Sequence, residues 1–170
     1  VLCLNGYKIT ITGTSLYKRI DVKKDFTLCD DSGEGKIASS NDYGVYVSEG
    51  GTFNLYGGSI TGTTTAGVYT KGTFIMYGGS VADNKCSGVV NLGGTFTMYD
   101  GLITGNGINN YGTAVDVSGR GIFTMKGGSI TNNNWGGVDV DSSSTFYMSG
   151  EAEISGNTID AARSDVRDAG

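Results

Sequence analysis

Thr52-Phe53-Asn54-Leu55-Tyr56-Gly57-Gly58-Ser59-Ile60 returns as Thr73-Phe74-Ile75-Met76-Tyr77-Gly78-Gly79-Ser80-Val81. It comes back as Thr95-Phe96-Thr97-Met98-Tyr99-Asp100-Gly101-Leu102-Ile103, then as Ile122-Phe123-Thr124-Met125-Lys126-Gly127-Gly128-Ser129-Ile130. A degenerate last copy is Thr145-Phe146-Tyr147-Met148-Ser149-Gly150. The pitch is 21 to 27 residues, and self-similarity at such a period marks a solenoid, whose repeats each bury their apolar face only against a neighbour.

With the phenylalanine as position zero, a Leu or Met falls at +2 and an Ile or Val at +7. The first two alternate with outward residues, the period-two pattern of a strand with one buried face. Gly-Gly sits where the chain must turn between them and the Ile or Val. A third strand follows that Ile or Val: Gly44-Val45-Tyr46-Val47, Gly67-Val68-Tyr69, Gly88-Val89-Val90, Ala114-Val115-Asp116-Val117 and Gly137-Val138-Asp139-Val140. Upstream, Phe26 and Leu28 fit as a copy with a longer loop before Ile37, and Leu2, Leu4 and Ile9 keep the 0, +2, +7 spacing. Coils then begin at 2, 26, 53, 74, 96, 123 and 146. Three short strands per coil predict an all-β chain, a parallel β-helix of about seven coils roughly 30 Å long at the ~4.8 Å strand spacing. The β-helix covers residues 1–157, with 158–170 as an irregular cap or the start of a further coil.

Composition agrees and excludes several functions. Thirty glycines with no proline and a 38% apolar fraction suit short strands joined by tight turns. A net charge of −5 argues against nucleic acid, because that affinity rests on Lys and Arg neutralising phosphates. No apolar run reaches the ~18 residues of a membrane span. The chain opens at Val1 without a leader, which reads as a mature or excised piece of something longer. Cys3, Cys29 and Cys86 are odd in number and lack metal-ligand spacing. On the coil starts above, Cys3 falls at +1 and Cys29 at +3, an offset of roughly 6–7 Å, too far for an easy disulfide. Cys86 shares a corner slot with Ile108 and Trp135 and reads as a small packed hydrophobe.

The repeats, with the opening Leu2-Cys3-Leu4-Asn5-Gly6-Tyr7-Lys8-Ile9-Thr10, resemble pectate-lyase-like right-handed parallel β-helix proteins. More narrowly, they resemble the Gly-Gly-Thr-Phe-x-Met-x-Gly-Gly-x-Ile repeats of bacterial surface and adhesin-like proteins. The resemblance implies a right-handed coil, in keeping with the bias of parallel crossovers. It also implies a secreted or cell-surface location. Activity does not follow, because this fold hosts lyases, hydrolases, adhesins and stalks.

The chain has no histidine, so Ser-His-Asp and Cys-His chemistry are excluded. The Gly-His-Gly turn and Asn-Thr-Asp strand of relatives that hydrolyse polygalacturonan are absent too. The nearest approach to a metal or catalytic site is Asp116, Asp139 and Asp141. Asp116 and Asp139 hold one position in successive third strands, and Ser118 should lie beside Asp141. Carboxylates that close raise a pKa or hold a cation, and oxygen ligands suit calcium. Arg120 nearby could be a lyase base or a counter-ion, and solvated surface acids are the plainer reading.

The second candidate is the outward +3 column, Cys29, Tyr56, Tyr77, Tyr99, Lys126 and Ser149. Three successive tyrosines predict an aromatic ladder, with Asn54, Thr97, Thr124 and Asp100 supplying hydrogen bonds, a combination that suits sugar rings. Sheet stabilisation or docking of another domain competes with it, and Tyr46 and Tyr69 form a smaller ladder. Thr52, Thr73, Thr95 and Thr145 lack the regular Thr-x-Thr lattice of an ice-binding face. Asp30-Asp31-Ser32-Gly33-Glu34-Gly35 reads as an acidic turn. The expectation is a non-catalytic module with no cofactor unless calcium binds. It would act as a rigid rod and an adhesin-like surface for a glycan or cell-surface ligand. The alternatives are a calcium-dependent polysaccharide lyase or glycoside hydrolase, and a structural element stacking end to end or capped by flanking domains.

Overall fold

A computed structural model describes residues 1–13, 19–109, 111–159, 162–163 and 166–168. The described residues hold strands and turns and no helix. Three parallel sheets of seven strands each stack the coils. The first sheet runs Leu2–Cys3, Asp25–Cys29, Thr52–Leu55, Thr73–Met76, Thr95–Met98, Ile122–Met125 and Thr145–Met148. The second runs Lys8–Ile11, Lys36–Ser39, Ser59–Thr61, Ser80–Ala82, Leu102–Thr104, Ser129–Thr131 and Glu153–Ser155. The third runs Ile20–Val22, Tyr43–Val47, Ala66–Thr70, Ser87–Leu92, Val115–Ser118, Val138–Val140 and Val166–Asp168.

The repeat dictates the register. Phe53, Phe74, Phe96 and Phe123 pair in line and are fully buried, with ring centroids 5.2, 4.7 and 4.5 Å apart. Leu55, Met76, Met98 and Met125 form the next inward column, and Ile60, Val81, Ile103 and Ile130 line the second sheet. Each such buried side chain is worth roughly 1.5–3 kcal/mol over an exposed one. Between first and second sheets, Gly79 takes a φ of 75°, and a Cβ there would sit against the Gly58 carbonyl of the coil beneath. That corner admits glycine because both the backbone angle and the space demand it.

The first coil corrects the sequence reading. Leu2 pairs with Leu28 and Cys3 with Cys29, so the coil enters two residues further along than the 0, +2, +7 spacing suggests. Leu4 lies past the strand, where its amide donates to the Cys29 carbonyl and its side chain is buried at the corner. The two cysteines are therefore directly opposed, with Cα atoms 4.4 Å apart, and they form a disulfide. Past residue 157, Thr158–Ile159 and Ala162–Arg163 pair antiparallel, and Val166–Asp168 adds a parallel strand beside Val138–Val140. The solenoid thus continues into the segment expected to be a cap or a further coil.

Candidate functional site

On the first sheet the outward +3 residues continue the interstrand hydrogen bonding, the Tyr77 amide donating to the Leu55 carbonyl and Tyr99 to Met76. This stacks the tyrosines: Tyr56 and Tyr77 lie 4.5 Å apart at 12°, and Tyr77 and Tyr99 lie 5.2 Å apart at 2°. They are open to solvent, with Tyr56 54%, Tyr77 37% and Tyr99 43% exposed. The middle ring is the least exposed, and burial, followed by its neighbours Tyr56 and Tyr99, pushes its phenol pKa up. Nearly parallel rings at the coil spacing cover much of one another's faces. The column therefore presents edges and hydroxyls, a ridge rather than the flat plate on which a sugar ring would lie.

The Lys126 ammonium caps the far end, 4.8 Å from the Tyr99 ring centroid, an arrangement worth about 0.5–1 kcal/mol at an exposed site. Beyond it an open depression of about 580 Å³ is lined by Tyr99, Asp100, Lys126, Ser129 and Glu151 among others. Asp100 accepts a hydrogen bond from the Gly101 amide at 2.7 Å. Asn54 and Thr97 stand half-exposed one column over, in line with Ile75 and Thr124. Asn54, Thr97 and the three tyrosines therefore share the outward face of the first sheet, and Asp100 lies in the turn beside Tyr99, lining the depression.

The smaller ladder is half-buried. Tyr46 and Tyr69 stack at 5.2 Å, Tyr43 leans on both, and the Arg19 guanidinium lies 4.3 Å over Tyr46. Arg19 is also ion-paired to Asp21 at 2.7 Å. This group clamps the first coil's third strand onto the next two coils.

Asp116 and Asp139 stand side by side in register. Burial raises the Asp116 pKa; a hydrogen bond with Ser118 offsets this, while Asp139 and Asp141 add to it. Asp141 behaves differently. Its oxygens accept from the Gly119 amide at 2.8 Å and from the amide and hydroxyl of Ser143, both at 2.9 Å. Hydrogen bonds with Ser144, Gly119 and Ser143 lower its pKa to about 2. Asp141 is thus a turn anchor. Among the described residues no three carboxylate or thiol side chains gather to hold a metal. Asp139 also faces Arg167 in backbone register.

Asp30, 8% exposed, makes its loop a folded turn. It accepts from the Gly6 amide of the first coil at 2.7 Å and from Gly35 at 3.0 Å, contacts that lower its pKa against the cost of burial. Cys86 is a free, buried thiol beneath Gly112 of the long coil's insertion.

The residues that sequence reasoning missed are buried asparagines. Asn84, Asn106, Asn133 and Asn157 each fall three residues after the Ile or Val of the second sheet, and Thr63 holds the same place. The Asn84 amide donates to Asn106 Oδ1 at 2.9 Å, Asn106 to Asn133 at 2.9 Å, and Asn133 to Asn157 at 2.8 Å. The residue before each is left-handed, for example Asp83 (φ 54°) and Gly105 (φ 65°). The signal was present as a Gly, Asp or Asn followed by Asn, at one offset in coil after coil.

No family model matches the chain, and no curated protein or solved structure matches it either. The architecture alone defines its class, a repeat protein of the parallel β-solenoid type.

Proposed function

We propose that the chain is a non-catalytic β-helix module of a secreted or cell-surface bacterial protein. It serves as a rigid spacer and, through the Tyr56, Tyr77 and Tyr99 ridge, as an adhesin-like contact for extended carbohydrate. The observation that carries the reading is the open tyrosine column with Asn54 and Thr97 on the same face and Asp100 in the depression beside Tyr99. Its rungs repeat along the rod at about the spacing of successive sugars in a polymer. Chain-like ligands can therefore meet hydroxyls and ring edges at several rungs, whereas a single sugar meets one. The Cys3–Cys29 disulfide supports an oxidising, extracytoplasmic compartment. The lyase or hydrolase reading through Asp116, Asp139 and Asp141 is the weaker one, because the oxygens of Asp141 are engaged by Ser143 of its own turn and by the Gly119 amide of the preceding coil.

The test is affinity electrophoresis in gels containing neutral and acidic polysaccharides. Retardation of the protein should fall about tenfold on Tyr77→Ala, the loss of about 1.4 kcal/mol. Retardation by no polysaccharide, or retardation equal in Tyr77→Ala, defeats the carbohydrate reading. Sugar release abolished by chelator and by Asp139→Ala defeats the non-catalytic one.

A further inference from the structure

The second sheet turns a different surface to solvent. One outward column begins with Lys8 and Lys36 in adjacent coils and ends with Glu153 in the seventh. Between them lie small serines and the single larger side chain Leu102, 37% exposed. The parallel column beside it, from Thr10 through Ala82 to Ser155, holds only Thr, Ala and Ser. Lys8 and Lys36 are stacked like charges, an arrangement that costs stability in a sheet. Neither is paired with a carboxylate among the described residues.

We infer that this face docks a second copy of the same chain, with the two rods antiparallel. A two-fold axis lying in the face and crossing the rod at the fourth coil sets Ser80 against Ser80 and Ala82 against Ala82. It sets the first coil of each copy against the seventh of the other. Lys8, with Lys36 behind it, then meets Glu153 of the second copy at both ends. The axis along the rod instead brings the lysines together and the glutamates together, and like charges across an interface select against that pairing. The small side chains let the two sheets approach closely. Seven rungs by one three-residue strand give a face of about 30 by 10 Å. That is well below the ~800 Å² per partner of a stable complex, so the association is weak, reversible and salt-sensitive.

Sedimentation equilibrium from micromolar to millimolar protein tests this by charge exchange. Wild type should pass from monomer to dimer, and added salt should weaken the dimer. The variant Lys8→Glu/Lys36→Glu and the variant Glu153→Lys should each remain monomeric, because like charges then face each other at both ends. An equimolar mixture of the two should recover a heterodimer at least as tight as the wild-type dimer. A wild type monomeric throughout, a dimer that survives either variant, or a mixture that stays monomeric overturns the inference. A wild-type assembly larger than a dimer overturns it as well.

Discussion

Replacing Asn106 with alanine should be among the most damaging single changes in the rod, although it removes no apolar contact of note. The Asn106 Oδ1 accepts the backbone amide of Asn84 at 3.2 Å and its side-chain amide at 2.9 Å. Its Nδ2 donates to the carbonyls of Val81 and Thr104, both at 3.1 Å, and to Asn133 Oδ1 at 2.9 Å. All of this lies in a corner closed to water. A buried donor stripped of its acceptor costs about 1–3 kcal/mol. Two donors on Asn84 lose theirs, so the loss is about 4 kcal/mol before the orphaned carbonyls are counted. Thr63→Ala offers a graded comparison, because Asn84 Oδ1 keeps the Thr63 backbone amide at 3.1 Å and loses only the hydroxyl. About 1 kcal/mol is expected there. Each coil contacts only its neighbours, so unfolding can run rung by rung. The assay is therefore urea unfolding by far-UV circular dichroism together with hydrogen exchange read coil by coil. If Asn106→Ala lies within about 0.5 kcal/mol of Asn54→Ala on the outer face, the ladder does not hold the corner and the reasoning fails.

Thr70 interrupts an inward column between Val47 and Asn91, and its buried hydroxyl has no hydrogen-bond partner; Thr70→Val should raise stability by about 1 kcal/mol in the same melt. Cys3 and Cys29 lie 26 residues apart in sequence, and a loop of that length is worth about 3.5 kcal/mol on the chain-entropy account. Cys29→Ser should thus release the first coil, seen as amide exchange that quickens in Leu2–Ile11 and far less beyond the third coil. Asp141 has its pKa lowered from 3.8 to about 2, so its stabilisation is complete above the unfolded value and lost as pH falls through that interval. Asp141→Asn should flatten the acid limb of stability against pH there. Asp116 is the opposite case: burial raises its pKa, so ionisation favours the unfolded chain. Asp116→Asn should melt higher than wild type at neutral pH and no higher well below pH 3.8.

The inward columns were legible because a solenoid repeats its environment as well as its sequence. Phe96 and Ile103 meet the same neighbours as Phe74 and Val81, so the repeat alone identifies them as core. The first coil misled for a physical reason. Leu2, Leu4 and Ile9 reproduce the apolar spacing, yet Leu4 fills a corner and Asp30 clamps Gly6 across the long loop. That arrangement brings Cys3 opposite Cys29. The asparagines escaped notice because burying a polar side chain costs free energy unless the next coil completes its hydrogen bonds, a condition visible only once the coils are stacked. Exposure of Tyr56, Tyr77 and Tyr99 followed from strand alternation. The direction of their faces did not, since it depends on ring packing at the coil spacing. The engagement of Asp141 rests on turn geometry, to which a two-residue spacing from Asp139 gives no clue.

Because Phe stacks on Phe and Tyr on Tyr, the length of this molecule is an editable quantity. Excising residues 74–95 joins Thr73 to Phe96, which reproduces the Thr95-Phe96 junction it replaces. Phe53 would then stand over Phe96, Tyr56 beside Tyr99 and Ile60 against Ile103, while the Thr63 hydroxyl reaches an asparagine as before. Such a deletion shortens the rod by one rung and leaves the seams of the first and second sheets chemically familiar, while the third sheet gains the new neighbours Tyr69 and Asp116. A gene built this way can gain or lose whole coils by unequal recombination between its own repeats, so reach can change between generations while the fold stays the same.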